Sequence, residues 1–135
     1  MQNMSDGKTA LGLDANVGAL ICYLANIVCY LGVIYSIIVL VTDKTNKLTR
    51  FHAVQSLLLI GALIVVGIPL YAFMFIGVFV DAAIGLPLIS GLAGLLIFVL
   101  GVAVLVFTVL AAIKGYGGEM YKIPIIGNFA EKWSA

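Results

Sequence analysis

Charge interrupts this sequence in so few places that the gaps decide its class. No Asp, Glu, Lys or Arg occurs between Asp14 and Asp43, and between Arg50 and Lys114 the one charged residue is Asp81. An ionised side chain at the centre of a bilayer-spanning helix costs about 2.5–3.5 kcal/mol, so gaps of this length mark segments built for hydrocarbon. The whole chain is 64% hydrophobic and 10% charged over 135 residues, against about 25% charged in an average soluble domain. A soluble domain this small exposes too much of its surface to hide so much apolar area. The expected class is an all-α integral membrane protein. A formal net charge of +1, with no basic stripe, excludes a nucleic-acid partner.

Three spans divide the apolar sequence most simply. Val17 to Val41 gives about 25 residues, or about 37 Å of helix, enough to cross a core of about 30 Å. Asp14 or Asn16 stands where a cap is wanted. Phe51 to Val80 gives about 45 Å, too long to stand upright in the core, so it must tilt, kink at Pro69 or project into the headgroups. Asp81 and the "GLP" of Gly85 to Pro87 end it. The third span runs from Pro87 or Leu88 to Ile113, closed by Lys114 and the glycines Gly115, Gly117 and Gly118. Cutting at both Pro69 and Pro87 to make four spans leaves a middle piece short for a crossing.

Loop charges give an expected orientation, since cations mark cytoplasmic loops. The 42–50 loop carries Lys44, Lys47 and Arg50 against Asp43, and the C-terminal segment carries Lys114, Lys122 and Lys132. The 81–87 turn has no cation. Three crossings put those two basic segments on one side, the cytoplasm, and the N-terminus outside. The flank "MQNMSDGKTALGLDAN" is not a basic n-region, and the apolar run after it is too long for a signal h-region, so the first span is read as retained. In the tail, Pro124 suits a first helical turn, and Ile125, Ile126, Phe129 and Trp133 then share one face. That pattern suits a short interfacial helix within the tail 114–135, with Tyr116, Tyr121 and Trp133 at headgroup depth. Gly127 weakens the helix, and an irregular tail packed on the bundle is the alternative.

Chemistry-bearing residues are sparse. Cys22 and Cys29 are seven apart on a helix, about 10.5 Å, too far for a disulfide, and no His or carboxylate joins them. They read as inert buried thiols. "GYGG" (Gly115 to Gly118) lacks the context of a nucleotide site, and Asp81 sits at a turn where a carboxylate faces water. No catalytic grouping, cofactor or metal site is expected. Asn26, an intramembrane polar residue on the face of Cys22 and Cys29, is expected to bond a neighbouring helix or backbone. Gly91, Gly94, Gly101, Thr108 and Ala112 form a small-residue stripe on the third span, suited to close helix packing within the chain or against a partner.

The stretch "TNKLTRFHAVQSLLL" (45–59) puts Lys47, Arg50, His52, Gln55 and Ser56 at the head of the second span. His52, Gln55, Ser56 and Leu59 share a helix face, while Lys47 and Arg50 stand where lipid phosphate lies. The group is expected to contact headgroups or a partner. A lone His also admits a haem or pigment ligand.

"LDANVGALICYL", "TRFHAVQSLLL" and "AAIKGYGGEMYKIPIIGNFAEKW" occur in that order over nearly the whole chain. Together they resemble the small prokaryotic membrane proteins of unknown function that are grouped with the chloroplast protein-import component of the inner-envelope translocon. The resemblance implies an all-helical membrane protein and, through the plastid relatives, a role in moving or inserting membrane proteins. It carries no catalytic residues. The expected function is a non-enzymatic scaffold or accessory subunit in a prokaryotic cytoplasmic membrane, bound to lipids and to other subunits or copies of itself. The alternatives are a translocation component, a small transporter or channel, and a pigment- or haem-binding subunit through His52.

Overall fold

The computed structural model describes residues 7–28 and 30–135. Cys29 and the first six residues of the N-terminal flank lie outside them. Among the described residues the structure is five helices, α1 (Ala15–Ile27), α2 (Leu31–Thr42), α3 (Lys47–Ile84), α4 (Ile89–Tyr116) and α5 (Ile126–Ser134). The nearest thing to a strand among them is one isolated bridge between Lys8 and Asp14. Packing divides the chain into two units: one takes the chain up to Leu59 with Val106–Ala135, the other is Ile60–Leu105.

The apolar run 17–41 is not one span. α1 has 13 residues and α2 has 12, about 20 and 18 Å of helix, each short of a core of about 30 Å. Val28 turns extended, and Tyr30 takes a left-handed conformation (φ 57°, ψ 21°) just ahead of α2. The chain then folds back, and small residues let it do so. A Cβ on Gly32 would sit 2.7 Å from Cys22 O, and one on Gly18 would sit 3.1 Å from the Tyr35 hydroxyl. Those pairings make α1 and α2 an antiparallel hairpin.

The hairpin also removes the basis for an N-terminus on the opposite side from the 42–50 loop. The Ala10 N–H donates to Asp43 Oδ2 at 3.3 Å, so the described end of the flank, from Gly7 on, lies against that loop. Asp43 is buried and also accepts the Asn46 N–H at 3.1 Å, while Asn46 Oδ1 accepts the Thr49 N–H at 3.3 Å. These carboxylate and amide oxygens take N–H groups that the start of α3 leaves free. At α1, Asp14 holds the cap position with no side-chain bond, and Asn16 Oδ1 accepts the Val17 N–H.

α3 and α4 are the helices long and apolar enough to cross a membrane. α3 runs 38 residues straight through Pro69, and α4 runs 28, so the four-span division fails. Proline has no N–H to give, but its neighbours carry the helix on. In the unit Ile60–Leu105, most large apolar side chains are exposed, which is how a surface facing lipid looks. The two helices approach closely at Gly77, where a Cβ would meet Ile89 Cγ2 at 2.7 Å. Asp81 does not face water: it is buried in the last turns of α3 and accepts the N–H groups of Ile89 (3.0 Å) and Ser90 (2.8 Å). A carboxylate there caps the start of α4 and meets the positive end of its dipole.

Candidate functional site

The first turns of α3 carry the polar groups, and the structure turns them inward. Thr49, His52, Gln55 and Ser56 have no exposed surface. Their spacing puts them on the face that packs on α1 and on the segment after α4. The Thr49 hydroxyl donates to Ala15 O at 3.1 Å. Further along, the Ser56 hydroxyl donates to Cys22 O at 2.7 Å, and Asn26 Nδ2 donates to Ser56 Oγ at 2.7 Å and to Cys22 O at 3.0 Å.

Between those two points lies a closed hydrogen-bond hub. His52 Nε2 is 2.9 Å from Glu119 O, and a carbonyl can only accept, so that nitrogen carries the proton. The other nitrogen, Nδ1, is then the acceptor for the Tyr23 hydroxyl at 3.0 Å. The imidazole is neutral and its tautomer fixed. Tyr23 Oη in turn accepts from Gln55 Nε2 at 2.8 Å, and the same amide donates to Tyr121 O at 2.9 Å. Gln55 Oε1 accepts the Ile123 N–H at 3.1 Å. Hydrogen bonds in such a chain polarise one another, and each is costly to break where water is excluded. The rings of Tyr23 and Phe51 stand edge-on to His52, with centroids 5.5 and 5.1 Å away. Gly115 makes room for the ring, since a Cβ there would lie 3.1 Å from His52 Nε2.

The chemical consequence is a strap. The irregular segment 119–123 offers backbone groups instead of side chains, and α3 holds three of them through His52 and Gln55. Beyond the strap, α5 packs Ala130 on Phe51 and Val54. Arg50 closes the other side: its Nε donates to Ser134 O at 3.2 Å, and its Nη1 donates to Leu40 O at 3.3 Å and Asp43 O at 2.8 Å. These carbonyls lie at the ends of α5 and α2, where helices leave acceptors unpaired and carry negative partial charge. Arg50 is therefore an internal clamp.

The expectation that the group contacts headgroups or a partner changes at three residues: His52, Gln55 and Ser56 have no exposed surface. Half-buried Arg50 places Nε and Nη1 on carbonyls and also lines a cavity beside Lys44 and Lys47. Lys47 alone of that group is exposed. Both His52 nitrogens are engaged, so a haem or pigment would have to displace one of those bonds. The stripe of small residues also divides. Thr108 and Ala112 are buried, whereas a Cβ at Gly91, Gly94 or Gly101 would meet nothing within 4 Å. Tyr23, Gly18, Gly32 and Gly77 went unmarked in the sequence, and Gly115 was read only as a helix terminator, although Tyr23 falls on the face of Asn26 and is the one phenol in α1.

α5 exposes Phe129 and Trp133 and buries Gly127, Ala130 and Ser134. Gly127 is needed at that point, because a Cβ there would lie 2.6 Å from Lys122 Cα. Lys122 pairs with Glu131 at 2.8 Å on the exposed side. Among the described residues no group of three or more His, Cys, Asp and Glu is placed to hold a metal ion.

Residues 14–130 match the sequence profile of the magnetosome magnetite crystal formation protein family. A UPF0132 membrane protein of Methanocaldococcus jannaschii is 38% identical over 128 residues, which is 95% of this chain and 96% of that one. A second UPF0132 membrane protein of the same archaeon is 32% identical over 124 residues, 92% of this chain and 73% of its own. A UPF0132 membrane protein of Archaeoglobus fulgidus is 28% identical over 120 residues, 89% and 95% of the two chains. No solved structure matches.

Proposed function

Because the chain belongs to the magnetosome magnetite crystal formation protein family, and its relatives are named as membrane proteins, we propose that it is a non-enzymatic scaffold or accessory subunit. It would serve a larger assembly in a prokaryotic cytoplasmic membrane, with α3 and α4 as its crossings. The observation that carries this reading is the open face of α4. Gly91, Gly94 and Gly101 repeat along it with nothing within 4 Å of a Cβ, and Leu95, Phe98 and Val102 beside them are exposed. Lipid gives helices no hydrophobic reason to associate, so close backbone approach at small residues is what holds one transmembrane helix to another. The hub supports the same reading: its polar groups are spent on holding the chain's own backbone.

The test is purification in mild detergent with and without Gly94→Leu and Gly101→Leu. The unsubstituted protein should bring down stoichiometric subunits or copies of itself, and the pair of substitutions should release them while membrane insertion persists. A fully functional lone monomer sinks the proposal. A second reading, in protein translocation or insertion, draws on the motif resemblance to the plastid import component. It requires that depletion impair insertion of some substrate, and normal insertion across a broad panel counts against it.

A further inference from the structure

The hairpin of α1 and α2 is the part of the fold that the reading above does not use. Between Asp14 and Asp43 it has no charged residue, yet neither arm is long enough to cross. Its two ends are held together, since the Ala10 N–H donates to Asp43 Oδ2 at 3.3 Å. Its depth can be measured along α3, which it accompanies. Ala15, at the start of α1, bonds Thr49, and Asn26, at the end of α1, bonds Ser56. Thr49 and Ser56 are seven residues apart, about 10.5 Å along the α3 axis. The turn thus lies roughly one leaflet's depth from the base, since half of a core of about 30 Å is about 15 Å.

The outer surface and the base of the hairpin say what covers it. Ile27, Val28, Leu31, Ile34, Ile37 and Ile38 are all exposed. Two backbone bonds close beside the turn, Leu31 N–H to Val28 O at 3.3 Å and Val33 N–H to Tyr30 O at 3.0 Å, which lowers the cost of placing backbone in hydrocarbon. At the base the surface changes to cations. A cavity of about 330 Å³ opens there between Leu40, Lys44, Lys47, Arg50 and Ser134. Lys44 and Lys47 are exposed, at the level where ammonium groups meet lipid phosphate.

We propose that the α1–α2 hairpin is a one-leaflet insert, which enters and leaves the bilayer at the same face, packs its outer surface on acyl chains, and holds lipid phosphate at Lys44 and Lys47. It rests on the membrane location of the chain and not on the scaffold role, so the absence of partner subunits would leave it standing. It places the N-terminal flank, the 42–50 loop and the C-terminal segment on one side of the membrane.

Two measurements on the full chain in oriented vesicles test it. With Cys22→Ala and Cys29→Ala as background, Lys8→Cys and Lys132→Cys each place a single thiol at an exposed position, where folding is not at risk. A membrane-impermeant maleimide should label both from the same side and neither from the other. Labelling from opposite sides overturns the proposal. For depth, Tyr30→Trp with Trp133→Phe puts one indole at the exposed turn, in vesicles of phospholipid brominated either high on the acyl chain or near its end. Bromine near the chain end should quench at least as strongly as bromine high on the chain, since the turn lies about a leaflet's depth from the base. Clearly stronger quenching from bromine high on the chain means that the hairpin stays at the interface. No quenching by either means that protein or water covers it, and both results refute the insert.

Discussion

Gln55→Leu tests the strap most directly, because it removes the hub's central amide and leaves its volume almost unchanged. Three bonds go at once: to Tyr23 Oη, to Tyr121 O and from the Ile123 N–H. Tyr23 keeps its bond to His52, so its loss is small. Ile123 is buried at 3% exposure, and its amide has no other acceptor within the hub. A buried group left without a partner costs about 1–3 kcal/mol. Tyr121 is only half-buried and can turn its carbonyl to water, so its share falls at the low end of that range. The two together come to about 3 kcal/mol, which is about a hundredfold in the population of strap-open molecules. Amide hydrogen exchange in nanodiscs reads that population segment by segment. The 119–127 segment should exchange about a hundredfold faster, while the unit Ile60–Leu105 keeps its protection. Ser56→Ala is the control: it removes a bond to Cys22 O that Asn26 also makes, and it does not touch the strap. If 119–127 exchanges at the unsubstituted rate in Gln55→Leu, the hub does not hold the strap and the reasoning fails.

Arg50→Lys keeps the charge but loses the planar fork that reaches carbonyls at the ends of two helices. It should loosen α5 by about 1–2 kcal/mol after allowance for solvent, seen as altered Trp133 fluorescence with α3 and α4 unchanged by circular dichroism. Gly77→Val should force α3 and α4 apart at Ile89 and cost about 1–3 kcal/mol, whereas Gly94→Ala, with open space around it, should hold or raise stability by about 1 kcal/mol in the isolated chain. Unfolding in mixed detergent ranks the two, and equal effects would refute the assigned approach at Gly77. Asp81→Leu removes the acceptor for two N–H groups at the start of α4, so exchange should rise at Ile89 and Ser90; Asp81→Asn, which keeps one oxygen, should restore much of the protection.

The parts of this fold that depend on composition along the chain were legible. Charge-free length marks α3 and α4, and the helical spacing of His52, Gln55 and Ser56 marks a face that is polar where it should not be. The break between α1 and α2 was not legible, for a physical reason. Residues 17–41 hold no proline and no charge, so helix propensity and hydropathy both run on through Val28 and Tyr30. The break is made by packing at a distance: Gly18, Cys22 and Gly32 are small enough for α2 to lie against α1. A left-handed Tyr30 costs about 1–3 kcal/mol locally, and the packed hairpin offsets it. The expected orientation rested on that crossing, since a count of crossings places the two ends of a segment only when that segment crosses.

The direction of the polar face was misjudged for a related reason. A row of His, Gln and Ser at a helix entrance has the same spacing whether it meets headgroups or backbone. Here the deciding residues lie some 66 to 68 positions away at Tyr121 and Ile123, and they act through main-chain groups that have no sequence signature. Such groups ask for partners of fixed shape. The segment 119–123 lies outside any helix; the Glu119 N–H and the Ile123 carbonyl find backbone partners in Lys114 and Gly127, while Glu119 O, Tyr121 O and the Ile123 N–H are met by side chains, and where water is excluded a buried group left unmet is costly. Gln55 offers a donor and an acceptor on one planar group, and His52 offers one of each on opposite edges of a ring. Those two residue types, three apart on one helix face, hold a non-helical chain against a membrane helix by its own main-chain groups.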